Sequence, residues 1–143
     1  MSYNYFIMEN RVIEVFVEKA EDGTYRGTSQ NFEGIVSTFG NSLEELKANF
    51  EEAFSDHMEV AKDTGEAYAD EYEKAKFSYS MDLSSFFDLV PELKISSIAK
   101  KANMNESLLR QYKNGLATAS QEQAKKIEQA VHELGRELLS VHF

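Results

Sequence analysis

From Arg11 to Lys19 apolar and polar positions alternate, with Ile13, Val15 and Val17 on one face and Glu14, Phe16 and Glu18 on the other. That two-residue period predicts a half-exposed strand. Glu21-Asp22-Gly23 has turn chemistry, so Thr24 to Ser29 reads as the return strand of a hairpin. Ile35 to Phe39 reads as a third strand after a loop from Asn31 to Gly34. Ser42 followed by Glu45 is a capping-box signal, and Leu43, Leu46, Phe50, Ala53, Phe54, Met58 and Ala61 recur at helical spacing. The spacing predicts a long amphipathic helix ending near Thr64-Gly65, then an acidic connector through Glu73. Phe77, Tyr79 and Met81 alternate with Lys76, Ser78 and Ser80 and predict a fourth strand, giving the order β-β-β-α-β. The first eight residues carry Tyr3, Tyr5 and Phe6, which can either extend the sheet or pack beneath it.

The period changes at Leu83, where Phe86, Phe87, Leu89 and Val90 predict a short helix ended by Pro91. From Ser96 to Gly115 the spacing is that of two short helices joined by a tight turn, a unit that commonly sets its second helix against DNA. Ile98, Ala99 and Ala102 face inward in the first. Asn103 is suited to the left-handed conformation, Met104 to plugging the angle and Asn105 to capping the next helix. In the second helix Leu108, Leu109 and Tyr112 turn inward, and Gly115 stops it. Ser120 with Gln123 caps a final helix, whose Ile127, Val131, Leu134, Leu138 and Val141 follow 4, 3, 4, 3 spacing. Such a seam either pairs two chains, through Ile127, Val131, Leu134 and Leu138, or packs on the preceding helices. The expected architecture is α+β in two domains, residues 1–81 and 82–143.

Within 143 residues there is no cysteine, which excludes disulfides and thiolate metal sites. No apolar run reaches signal-peptide or membrane-span length, and the expected compartment is the cytoplasm. The net charge of −10 is unevenly spread. Residues 1–93 hold 7 Lys/Arg against 20 Asp/Glu, whereas residues 94–143 hold 8 against 5. Lys94, Lys100, Lys101, Arg110, Lys113, Lys125 and Lys126 face only Glu106 and Glu122 between positions 94 and 126, a balance that favours phosphates. The acidic half suits a basic partner.

The candidate DNA-contacting set is therefore Asn105, Glu106, Ser107, Arg110, Gln111, Lys113 and Asn114, with Lys100 and Lys101 near the phosphate backbone or simply on the surface. Arg110 and Gln111 are the side chains equipped for base edges, and Lys113 suits phosphate. Glu106 either accepts from a cytosine amino group or repels phosphate. His57 lies beside the apolar stripe of the long helix and reads as a packing residue, while His132 and His142 read as surface residues. Glu14 and Glu18 share a strand face, and a two-metal nuclease would need further carboxylates converging there. No second constellation does so, and neither catalysis, a metal nor a cofactor is expected.

Two segments resemble one known arrangement. Val15 to Phe54, "VFVEKAEDGTYRGTSQNFEGIVSTFGNSLEELKANFEEAF", looks like the N-terminal domain of HicB-type antitoxins, a degenerate RNase H-like fold, in its Asp22-Gly23 turn, Gly34, Gly40 and Ser42–Glu45. Ile98 to Gly115 is similar to the Xre/Cro class of helix-turn-helix. Where the family commonly has Pro-Asp-Leu-Pro-Gly-Cys, this chain has Gln30-Asn31-Phe32-Glu33-Gly34-Ile35 and keeps the glycine alone. It also has Asn103 where the turn usually has Gly. The resemblance implies a type II antitoxin that sequesters a small basic mRNA-cleaving HicA-type toxin and, as a homodimer or higher oligomer, represses its own operon. The alternative is a stand-alone helix-turn-helix regulator whose HicB-like domain mediates oligomerisation or senses another protein.

Overall fold

A computed structural model describes residues 11–143, and the aromatic start with Tyr3, Tyr5 and Phe6 lies outside the described residues. The chain is α+β and divides into two compact units, one through Met81 and one from Asp82.

The first unit holds β1 (Val12–Lys19), β2 (Tyr25–Ser29), β3 (Ser37–Gly40), the helix α1 (Leu43–Asp63), a short 3-10 turn (Ala67–Asp70) and β4 (Lys76–Met81). The strands form one mixed sheet in the order β3-β2-β1-β4, antiparallel except for the parallel pair of β1 and β4. A parallel neighbour requires a crossover, and α1 with the 3-10 turn supplies it. The alternation in β1 does what its period dictates: Ile13, Val15 and Val17 are fully buried beneath α1, and Glu14 is exposed. Leu46, Phe50, Phe54, Met58 and Ala61 form the buried stripe of α1, with the Phe50 ring edge-on to Phe77 and Tyr79.

Local chemistry fixes the ends of these elements. Asp22 accepts from the Thr24 amide at 2.9 Å and from its hydroxyl at 2.6 Å, closing the hairpin turn. The hydroxyl first, then the amide, hold the Asp22 carboxyl below its ordinary pKa. Ser42 caps α1 by accepting from the Glu45 amide at 3.1 Å. The third strand starts at Ser37 instead of Ile35, because the Val36 amide donates to the Ser29 hydroxyl at 3.0 Å and not to a strand carbonyl. Ile35 is left 82% exposed before the ladder begins.

Gly40 is required by close approach. A Cβ there would lie 2.5 Å from the Leu46 amide nitrogen and 2.7 Å from its Cα, and backbone cannot move aside as a side-chain tip can. Gly40→Ala is expected to destabilise the first unit by about 1–3 kcal/mol, read as a lower urea midpoint at unchanged slope.

The second unit contains α2 (Leu83–Leu89), α3 (Ile95–Lys101), α4 (Glu106–Lys113) and α5 (Gln121–Leu139). Asp82 caps α2 by accepting from the Ser85 amide at 3.2 Å, and Val90, restricted by Pro91, ends it. Phe87, Ile95, Ile98, Ala99, Ala102, Leu109, Tyr112, Ile127 and Ala130 form one core. No helix among the described residues is long and apolar enough to cross a membrane.

Candidate nucleic-acid interface

The turn between α3 and α4 is built by two asparagines. Asn103 has φ +54°, the left-handed region an Asn tolerates better than most side chains. There its amide donates to Lys100 O at 3.1 Å and the Met104 amide to Ala99 O at 2.9 Å, closing two otherwise orphaned carbonyls of α3. Met104 packs against the core inside the angle. Asn105 then accepts from the Ser107 and Leu108 amides at 2.8 and 3.2 Å and so starts α4. At the far end Gly115, φ +72°, donates to Tyr112 O, and the Leu116 amide bonds Gln111 O at 2.9 Å. Both ends of α4 are thus fixed by backbone geometry.

That geometry divides α4 into two faces. Leu109 is wholly buried, Tyr112 is buried and Leu108 is packed against the same core. Asn105, Glu106, Ser107, Arg110, Gln111 and Asn114 are exposed, and Lys113 is half-buried. Arg110 donates to Glu106 at 2.6 Å one turn earlier. An exposed pair at this spacing contributes only about 0.3–0.5 kcal/mol, so the guanidinium can exchange Glu106 for a base or phosphate at little cost. Lys94, Lys100, Lys125 and Lys126 are exposed on the same unit.

Lys101, expected near the phosphate backbone or simply on the surface, is also engaged within its own unit. Its ammonium donates to Glu137 at 2.9 Å and lies 3.8 Å from Glu133, tying the end of α3 to α5. The hydrogen bond to Glu137 raises its pKa above the ordinary lysine value. Sequence proximity offered no signal for this pair, since Glu137 is 36 residues away.

The proposed pairing seam also needs a correction. Ile127 is 1% exposed and belongs to the core of its own unit, so it cannot face a second chain. Val131 and Leu134 are half-buried against that core, whereas Leu138 is 65% exposed. A 4, 3, 4, 3 apolar repeat records burial without saying whose surface does the burying.

In the first unit His57 packs as expected. Its Nε2 lies 3.2 Å from the Tyr68 hydroxyl, and Phe32 meets its ring edge-on. Phe32 itself contacts Phe54, Tyr68 and Tyr72, anchoring the Asn31–Gly34 loop to α1, a role signalled only by a lone aromatic in a polar loop. Glu18 is paired with Arg26 across the hairpin. Among the described residues no three His, Cys, Asp or Glu side chains are placed to share a metal ion. His132 and His142 are exposed. Comparison with family models, curated proteins and solved structures finds no match to this chain.

Proposed function

We propose that the second unit is an Xre/Cro-class helix-turn-helix that binds operator DNA through α4. We further propose that the first is a HicB-like, RNase H-like docking domain for a small basic HicA-type toxin, making the chain a non-catalytic cytoplasmic antitoxin and repressor. One observation carries the DNA-binding part: α4 is capped at both ends, anchored by Leu109 and Tyr112, and turns Ser107, Arg110, Gln111 and Asn114 to solvent. This is the polar face that direct readout in the major groove requires. The concentration of acid in the first unit supports a cationic partner, because complementary charge speeds encounter and orients docking. The test is fluorescence anisotropy with duplex DNA from upstream of the chain's own gene, repeated with toxin encoded by the neighbouring frame. Affinity falling steeply between about 50 and 200 mM salt supports the reading.

The stand-alone regulator is favoured by one feature. Phe32, within the segment that replaces the family's Pro-Asp-Leu-Pro-Gly-Cys, is committed to its own unit's aromatic cluster. An adjacent gene for a small basic protein decides for the antitoxin, and its absence for the regulator.

Repression from a palindromic site requires two copies. The exposed end of α5 is the surface that supports self-association, so Leu138→Asp is expected to reduce a two-chain mass to one-chain mass by light scattering, with helicity retained. An unchanged two-chain mass moves the pairing surface elsewhere.

A further inference from the structure

Between α1, the 3-10 turn and β4 the first unit has a groove of about 410 Å³. Its floor includes Phe54, Met58, Tyr72 and Phe77, and Glu51, Glu59 and Glu73 stand around it. Lys62 also lines it, held by Glu73 at 3.2 Å. Over residues 51–77, which supply the lining, the chain has nine Asp/Glu and three Lys, so acid outweighs base around the groove. This size falls within the usual range of roughly 300–1,000 Å³ for sites that take a small ligand or a few side chains.

Two tyrosines of the same unit already demonstrate the chemistry that suits such a surface. The Arg11 guanidinium lies 5.3 Å from the Tyr72 ring centre and bonds Glu71 at 3.2 Å. The Lys47 ammonium lies 5.1 Å from the Tyr79 ring centre. A cation on an aromatic face beside a carboxylate is favoured twice over, by the ring quadrupole and by the charge. Burial, then the charge of Glu51, push the Tyr79 hydroxyl up to about 12. Phe77 is half-buried in the floor among Glu51, Glu59 and Glu73, and no Lys or Arg among the described residues lies over its ring.

We propose that this groove docks a Lys/Arg-rich segment of a protein partner, seating one apolar side chain on the half-buried Phe77, with Phe54 and Met58, 4% and 8% exposed, closing the floor beneath it, and pairing its cations with Glu51 and Glu59. The inference rests on the reading of the first unit as a docking domain for a basic protein, and names where on that unit the partner sits. Nucleic acid is the wrong sign for this rim. The far face of the sheet is the competing surface, since it carries Val12, Phe16 and Phe39 beside Glu14 and Glu18, and peptide-induced shifts confined to that face would overturn the proposal.

The experiment titrates the full chain, labelled with nitrogen-15, with the peptide Ac-KRLKRF-NH2 and two controls, Ac-KRSKRS-NH2 and Ac-EDLEDF-NH2. Amide shifts concentrated at Ser55, Glu59, Ala75 and Phe77 are expected with the first peptide alone. Glu51→Gln with Glu59→Gln should weaken it about threefold to tenfold, the range for two exposed ion pairs. Both positions are exposed, so folding should be unaffected. Equal binding of KRLKRF and KRSKRS, with shifts spread over the acidic surface, overturns the proposal. The two levels separate with toxin from the neighbouring frame. Toxin binding that is indifferent to Glu51→Lys and Glu59→Lys keeps the docking reading and sinks the groove. Peptide in the groove with no toxin bound does the reverse.

Discussion

Arg110→Ala combined with Lys113→Gln is expected to leave the chain folded and to weaken DNA binding by about 1–3 kcal/mol per recognition helix, roughly fivefold to 150-fold. Arg110 is exposed, and its side-chain bond to Glu106 is worth a few tenths of a kcal/mol in an exposed helix. Glutamine at 113, a half-buried position, keeps much of the aliphatic stem while removing the charge. Two effects should separate in the measurement. Loss of Arg110 relaxes discrimination between operator and scrambled duplex, whereas loss of the Lys113 charge lowers the slope of log affinity against log salt by about one. Full affinity at unchanged salt slope in the double variant contradicts the assignment of α4.

Phe50→Ala is expected to cost the first unit about 3–5 kcal/mol, a large part of the stability of an ordinary domain. Phe50 is fully buried and meets Phe77 and Tyr79 edge-on at centroid distances of 5.8 and 6.4 Å, so truncation empties space between α1 and β4 that surrounding backbone cannot close. Val60 on the same helix is 62% exposed, and Val60→Ala should stay within about 0.5 kcal/mol. Equal urea midpoints for the two variants would show that α1 presents a different face to the sheet.

The features readable in the sequence are those written in local chemistry. The α1 capping box, the Asp22 turn, and Asn103 and Asn105 between α3 and α4 each act through neighbours within five residues, so their spacing carried the information. What escaped depends on distant partners. The start of β3 slips because a side chain of β2 claims the Val36 amide. Lys101 reads as a free cation until α5 returns with Glu133 and Glu137. Ile127 shares its spacing with Leu138, yet the unit's own core covers the first and stops short of the second. The groove joins Glu51 of α1 to Phe77 of β4 across the crossover, a juxtaposition that no window along the chain contains.

The division of labour within α4 carries this account, and amide shift mapping of the full chain with upstream duplex DNA tests it most directly. Perturbations centred on Asn105, Ser107, Arg110, Gln111 and Asn114, with the first unit unmoved, are the result expected. Perturbations absent from α4 at low salt, or lying on the first unit instead, would contradict it.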